Sequence, residues 1–306
     1  MCGKAYLKAI STSPGERWRT RLRSLAVGLF AALLLAGCSA VSIGYDNLPT
    51  VINWYADSYF DLDGDQETAL KERIVALRQW HRTSQLPDYG RFLGEVKARV
   101  RGPVSPDDVA WLYAEGQKRY RVLGEHLAPD LADLAFRLTP DNIRHLERKQ
   151  AKGVTEYERD YVTAAPEKRR ERRYERILSE AERWYGSFGD AQRDRVRILT
   201  DALPANYPLV VEDRKRRQSE LHAILRAAAE KAASREEVAR RLRQWVLDWE
   251  RGRSPVYREF AARYTAQAQK LFAEIANLAT PQQRETAQKR LQNYIDEIAA
   301  LSAESG

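Results

Sequence analysis

The amino-acid sequence predicts an all-α protein, an elongated multi-helix bundle of antiparallel helical hairpins with about ten helices and no sheet. Two observations carry this. First, beyond residue 50 apolar residues recur at three- and four-residue steps: Val109, Leu112, Tyr113, Gly116, Tyr120, Leu123 and Leu127, then Ile143, Leu146, Gln150, Val154, Tyr157 and Tyr161. Val238 to Trp249, Tyr257 to Leu278 and Ala287 to Leu301 repeat the pattern. That is one apolar stripe per helix facing a shared core, and no stretch alternates for long enough to make a strand. Second, helix starts are legible. A capping residue followed three positions later by Gln, Asn, Asp or Glu occurs at Asp63…Gln66, Ser105…Asp108, Thr139…Asn142, Ser234…Glu237 and Thr280…Gln283, with Gly189…Gln192 after Phe188 a looser copy. The cap side chain accepts an orphan backbone N–H, and the later polar side chain reaches back to the cap.

Taken in chain order, residues 1–37 read as a lipoprotein signal peptide. Arg17 to Arg23 form a basic region, Leu25 to Leu34 an apolar one, and Leu35-Ala36-Gly37-Cys38 a lipobox. The apolar run is too short to span a bilayer, which needs about 20 residues. Cleavage is expected between Gly37 and Cys38, with acylation of the Cys38 thiol. Ser39, rather than Asp, directs such proteins to the outer membrane. The leader also explains the charge. Six cations against Glu16 give it +5 of the chain's +8, leaving +3 from Cys38 onward, so a basic nucleic-acid binder is not implied. Cys2 and Cys38 are the only cysteines, so no disulfide framework or cysteine metal site is expected.

Residues 38–49 are then a lipid-anchored tether and 50–306 an all-helical periplasmic domain, with a lobe boundary near 204–208 as the alternative to one continuous body. Pro106, Pro140 and Pro281 suit first helical positions. Gly102-Pro103, Pro129, Pro166, Pro204 and Gly252 mark stops. The cap spacing is too irregular for a solenoid.

The densest candidate cluster is Trp54, Asp57, Tyr59, Asp61, Trp80, His81 and Arg82. If helical, Asp57 and Asp61 share a face, and a return helix from Asp65 to Arg82 brings His81 and Arg82 toward the other end of the hairpin. Carboxylates with an imidazole can hold a metal or move protons. The structural alternative is an ion pair from Arg82 and aromatic packing. Asp61, Asp63, Asp65 and Glu72 resemble a calcium loop, but Gln66 stands where the turn needs Gly. Basic runs at Arg169–Arg173, Arg214–Arg217 and Arg240–Arg243 are interspersed or flanked with acids and read as salt-bridged helix faces. His126, His145 and His222 are scattered, and no phosphate loop, metalloprotease helix or nucleophile elbow is present.

Several of these residues resemble a proteobacterial helical lipoprotein family described only as a domain of unknown function: Leu35–Cys38, Tyr45…Asn47-Leu48-Pro49, Trp54…Asp57…Tyr59…Asp61-Leu62…Gln66, Trp80-His81-Arg82…Leu86-Pro87…Tyr89, Thr139-Pro140…Leu146-Glu147-Arg148-Lys149…Lys152 and Glu182-Arg183…Tyr185. The resemblance implies an all-helical lipoprotein and assigns no catalytic residue. Asn142 replaces the expected Gln and keeps the amide. The Thr-Pro-x-Gln starts are also similar to the Leu-Thr-x-x-Gln periplasmic helical-hairpin proteins, which include chaperone and stress-sensing members. The expected function is therefore a non-enzymatic interaction, scaffold or chaperone-like protein, lipid-anchored to the periplasmic side of the outer membrane of a Gram-negative bacterium. It has no cofactor, an envelope protein as partner and no nucleic acid. The alternative is a metal-dependent or acid–base hydrolase built on Asp57, Asp61, His81 and Arg82.

Overall fold

A computed structural model of the chain describes residues 44–303. The stretch read as a signal peptide, Cys38 with its expected cleavage site, and the expected tether up to residue 43 lie outside the described residues. The chain divides into two compact units, Met1–Asp46 and Asn47–Gly306. Of the first, residues 44–46 are described and are helical.

The second unit is built from eleven α-helices among the described residues, with no strand. They are α1 (Leu48–Phe60), α2 (Gly64–Trp80), α3 (Leu86–Arg99), α4 (Pro106–Ala135), α5 (Pro140–Tyr157), α6 (Pro166–Tyr185), α7 (Asp190–Asp201), α8 (Tyr207–Ala229), α9 (Arg235–Leu247), α10 (Pro255–Leu278) and α11 (Pro281–Ala303). Short π-helical turns, His81–Gln85 and Glu158–Val162, extend α2 and α5. None of the described helices is long and apolar enough to cross a membrane.

Local chemistry sets these boundaries. Asp63, Ser105 and Thr139 accept the backbone N–H three residues on, and Gln66, Asp108 and Asn142 return the bond to the cap. Three expectations need correcting. Helix α1 already begins at Leu48, with Pro49 in its first turn, inside the stretch read as tether. Trp249 falls beyond the end of α9. Pro129 does not stop α4, which runs through it to Ala135. A proline removes one hydrogen bond and crowds the preceding turn. Here Gly124, Ala128, Ala132 and Ala135 form a buried stripe that holds the helix on course. A β-carbon at Gly124 would sit 2.6 Å from Leu247 Cδ2, so a larger residue there would push the Leu247 side chain aside.

The helices pair by an internal repeat. In the amino-terminal repeat (α1–α5), α1 packs on α2 and α5, and α2 on α4. In the carboxy-terminal repeat (α6–α11), α6 packs on α7 and α11, and α7 on α10. The repeats interleave: α3 lies along α11, and its counterpart α8 lies along α5, while α4 and α10 pack on each other. Helix α9 has no counterpart and covers α4 and α8. Hairpins are present at α1–α2, α6–α7 and α8–α9, but the main partner of α3 is the last helix of the chain. One core gathers Ala132, Ala135, Ile143, Leu146, Ile224, Leu225, Ala228, Val238 and Leu242. Another gathers Tyr174, Ile177, Ala181, Phe188, Val196, Leu203, Leu271 and Ile275.

Candidate functional site

The residues singled out in the sequence fall into two groups at opposite ends of α2, a helix of 17 residues and hence about 25 Å long. At its start, Asp57 Oδ1 accepts the Leu62 N–H at 3.0 Å, and its carbonyl accepts the Asp61 N–H at 2.7 Å. Asp61 ends α1 in the left-handed conformation, φ 55°. Its exposed carboxylate lies 3.8 Å from His145 Nδ1. Tyr59 stacks on the exposed Tyr55 at 4.8 Å between centroids, and Trp54 is exposed. At the far end of α2, Trp80 stacks flat on His126 at 3.6 Å. His81 meets Tyr89 edge-on at 5.4 Å, and burial lowers its imidazole pKa. Arg82 Nε donates to the Leu301 carbonyl at 2.6 Å, in the last turn of α11. Asp57 and Asp61 are thus not brought to His81 and Arg82. No group of three or more metal-binding side chains is found among the described residues. Asp63, the centre of the calcium-loop likeness, is spent on the Asp65 and Gln66 amides.

What the fold does assemble is an interlock of two capping boxes. Gln66 Oε1 accepts the Asp63 N–H at 3.0 Å. Its Nε2 donates to the Arg137 carbonyl at 2.7 Å and to Asn142 Oδ1 at 2.9 Å. Asn142 Oδ1 also accepts the Thr139 N–H, and its Nδ2 donates to the carbonyls of Phe60 and Asp61. Both amides are buried and use every hydrogen they carry. The carboxy-terminal repeat builds the same device. Gln192 donates to the Leu278 carbonyl at 2.7 Å and to Gln283 Oε1 at 2.8 Å, while Gln283 donates to the Ser187 carbonyl at 2.8 Å.

Beside the first interlock lies a cavity of about 340 Å³. Ile52, Ala56 and Phe60 of α1, Leu70 of α2, Leu131 and Leu134 of α4, Leu221 and Leu225 of α8, and Leu242, Trp245 and Val246 of α9 form its walls, with Leu62 and Leu138 from the loops. Its polar neighbours are occupied. The amide of Gln66 is fully bonded, and the Trp245 indole N–H donates to the Arg217 carbonyl at 2.9 Å. Arg137, exposed at the rim, is the one charged residue of the lining. Such a space excludes water and accepts hydrocarbon.

The basic runs are largely ion-paired. Arg216 bonds Asp213 and Glu220, Arg240 bonds Glu237, and Arg243 bonds Glu125. Arg217 departs from the expected solvated face. It is buried and donates to the Trp245 carbonyl at 2.7 Å, with its guanidinium 4.1 Å from the Trp249 ring centroid. The Arg217 backbone, in turn, fixes the indole that walls the cavity.

Fold and site together define an all-α protein of two interleaved helical repeats, with a hydrocarbon-lined cavity against one of its capping interlocks. The chain belongs to the family of unknown function DUF6279, whose model matches residues 58–250, more than half of the 306. The matched stretch runs from the end of α1 to just past α9, so it holds the first interlock and most of the cavity but not Trp54, Asp57, α10 or α11. No curated protein and no solved structure matches.

Proposed function

We propose that this chain is a non-enzymatic binding protein of the cell envelope, scaffold or chaperone-like. It is lipid-anchored through Cys38 to the periplasmic face of the outer membrane and holds an apolar part of its partner in the α1–α2–α4–α8–α9 cavity. The supporting observation is the character of that cavity. Its walls are hydrocarbon, and the Gln66 amide and Trp245 indole beside it are already hydrogen-bonded. It can desolvate an apolar group but offers nothing to move a proton. A hydrolase on Asp57, Asp61, His81 and Arg82 has the opposite support, since the length of α2 lies between its two halves.

The lipobox supports the anchor, and binding and anchoring are tested separately. Full-length protein is expected to take up N-phenyl-1-naphthylamine with a blue-shifted emission and to slow the aggregation of an unfolded client. Both effects should weaken when Leu134→Phe fills the cavity. A wild-type protein that neither binds the dye nor protects the client sinks the binding reading. Cys38→Ser or globomycin should block processing and remove the protein from the outer-membrane fraction, and unchanged fractionation sinks the anchor alone.

A further inference from the structure

A second cavity, about 280 Å³, shares no residue with the first and has the opposite chemistry. It lies between the starts of α6 and α8, where Pro166, Arg169, Arg170 and Arg173 face Asn206, Tyr207 and Pro208 across a short loop. Its walls carry three guanidinium groups and no carboxylate.

Three features make this more than a basic run on a helix. The N-cap of α6 is Ala165, whose side chain cannot accept a hydrogen bond. Pro166 lacks an N–H, and the Arg169 N–H donates to the Ala165 carbonyl at 3.1 Å, so the positive end of this helix has no side-chain cap beside the cavity. Next, Arg173 is 8% exposed, yet its charge is poorly matched. Asp201 is 3.8 Å away, one terminal nitrogen reaches the Leu203 carbonyl at 3.3 Å, and Nε is buried without a partner. A buried cation in that state gains from an added anion. Finally, the other two arginines are held by long bonds that leave most of their N–H groups unused. Arg169 reaches the carbonyls of Tyr161 and Val162 at 3.3 and 3.5 Å, and Arg170 reaches Glu167 at 3.3 Å. These distances are at the outer limit of hydrogen bonding.

We propose that this cavity binds a phosphate group. A carboxylate is planar and is satisfied by a single guanidinium fork, whereas a phosphate presents oxygens in several directions. Here guanidinium donors converge from three arginines, beside the positive end of a helix. The phosphate is either a free ion or ester, or the headgroup of a lipid.

The test titrates detergent-solubilised full chain by calorimetry with inorganic phosphate and, separately, with short-chain phosphatidic acid. A fatty carboxylate of the same chain length serves as the charge control. The expected result is saturable one-to-one binding of at least one phosphate ligand. It should weaken by at least about tenfold in Arg169→Gln and in Arg170→Gln and stay unchanged in Arg240→Gln. Binding of both ligands marks a site for free phosphate, and binding of phosphatidic acid alone marks a lipid headgroup. Arg173→Gln is the more drastic variant and is compared only if its circular dichroism and melting match wild type. The proposal is overturned if neither phosphate ligand binds, if the carboxylate binds as well as phosphatidic acid, or if the Arg169 and Arg170 variants bind like wild type.

Discussion

In the amino-terminal repeat the residues just before the two capping positions are Leu62 and Leu138, and both stand on the wall of an open cavity. In the carboxy-terminal repeat their counterparts are Phe188 and Ala279, and both are buried, at 4% and 5% exposure. The hydrogen-bonded frame is the same: Gln66 with Asn142 in one, Gln192 with Gln283 in the other. What differs is the filling. Phe188 packs with Tyr174, Ile177 and Val196 into a closed core, whereas the amino-terminal repeat leaves space roofed by α9, a helix of the carboxy-terminal repeat that has no counterpart in the amino-terminal one. On a common frame, one repeat closes its core beside the interlock and the other leaves a cavity there.

The most direct way to break this comparison is a matched pair of truncations. Phe188→Ala is expected to cost about 3–5 kcal/mol in urea unfolding, because it opens a cavity in a packed core. Leu62→Ala should cost only about 1 kcal/mol, since its side chain is half-buried beside a space already empty. Equal losses would mean the two repeats are filled alike. Next in size, Asn142→Ala should cost about 2–3 kcal/mol, because it removes a buried amide and strands the part-buried carbonyls of Phe60 and Asp61 together with the Thr139 N–H. Gln283→Ala should cost about 1 kcal/mol, because that amide is only partly buried and water can replace it. Reversal of that order would show that burial does not distinguish the two interlocks. Filling the cavity by Leu134→Phe should shift stability by less than about 1 kcal/mol, as the ring enters existing space, while removing dye uptake.

The smallest effect is a pH dependence of the amino-terminal repeat. Burial lowers the pKa of His81 and also that of His222, which packs against α5 and is partly compensated by Glu147 at 3.8 Å. With the folded pKa below the unfolded value of about 6.5, the unfolded chain binds protons first. The stability is therefore whole above that pH and declines as pH falls below it. Hydrogen exchange between pH 7 and pH 5 should show α2 and α5 loosening before α7 and α10, and His81→Gln should reduce the drift at α2. No difference between the repeats would remove this part of the contrast.

The local features were legible in the sequence, and the distant ones were not. Helical periodicity and caps such as Ser105…Asp108 depend on residues three or four apart, so each boundary could be read in isolation. The reach of Gln66 to Asn142 joins two boxes 76 residues apart and leaves no local mark. The repeat is masked because Leu62 and Asp63 become Phe188 and Gly189, and because α9 lengthens the interval between boxes from 76 residues (63 to 139) to 91 (189 to 280). Pro129 misled because helix-breaking is a local penalty, whereas the Gly124–Ala135 stripe that overrides it is tertiary. The aspartates and His81 were grouped by their density along the chain. Density along a chain is not proximity when a 17-residue helix intervenes.

The bond from Arg82 to the Leu301 carbonyl spans 219 positions, and around it α3 finds its principal neighbour in α11. A polypeptide emerging from its amino terminus therefore cannot finish its first third until its last turn has been released. A premature stop within α11 would strip the cover from α3, synthesised long before it.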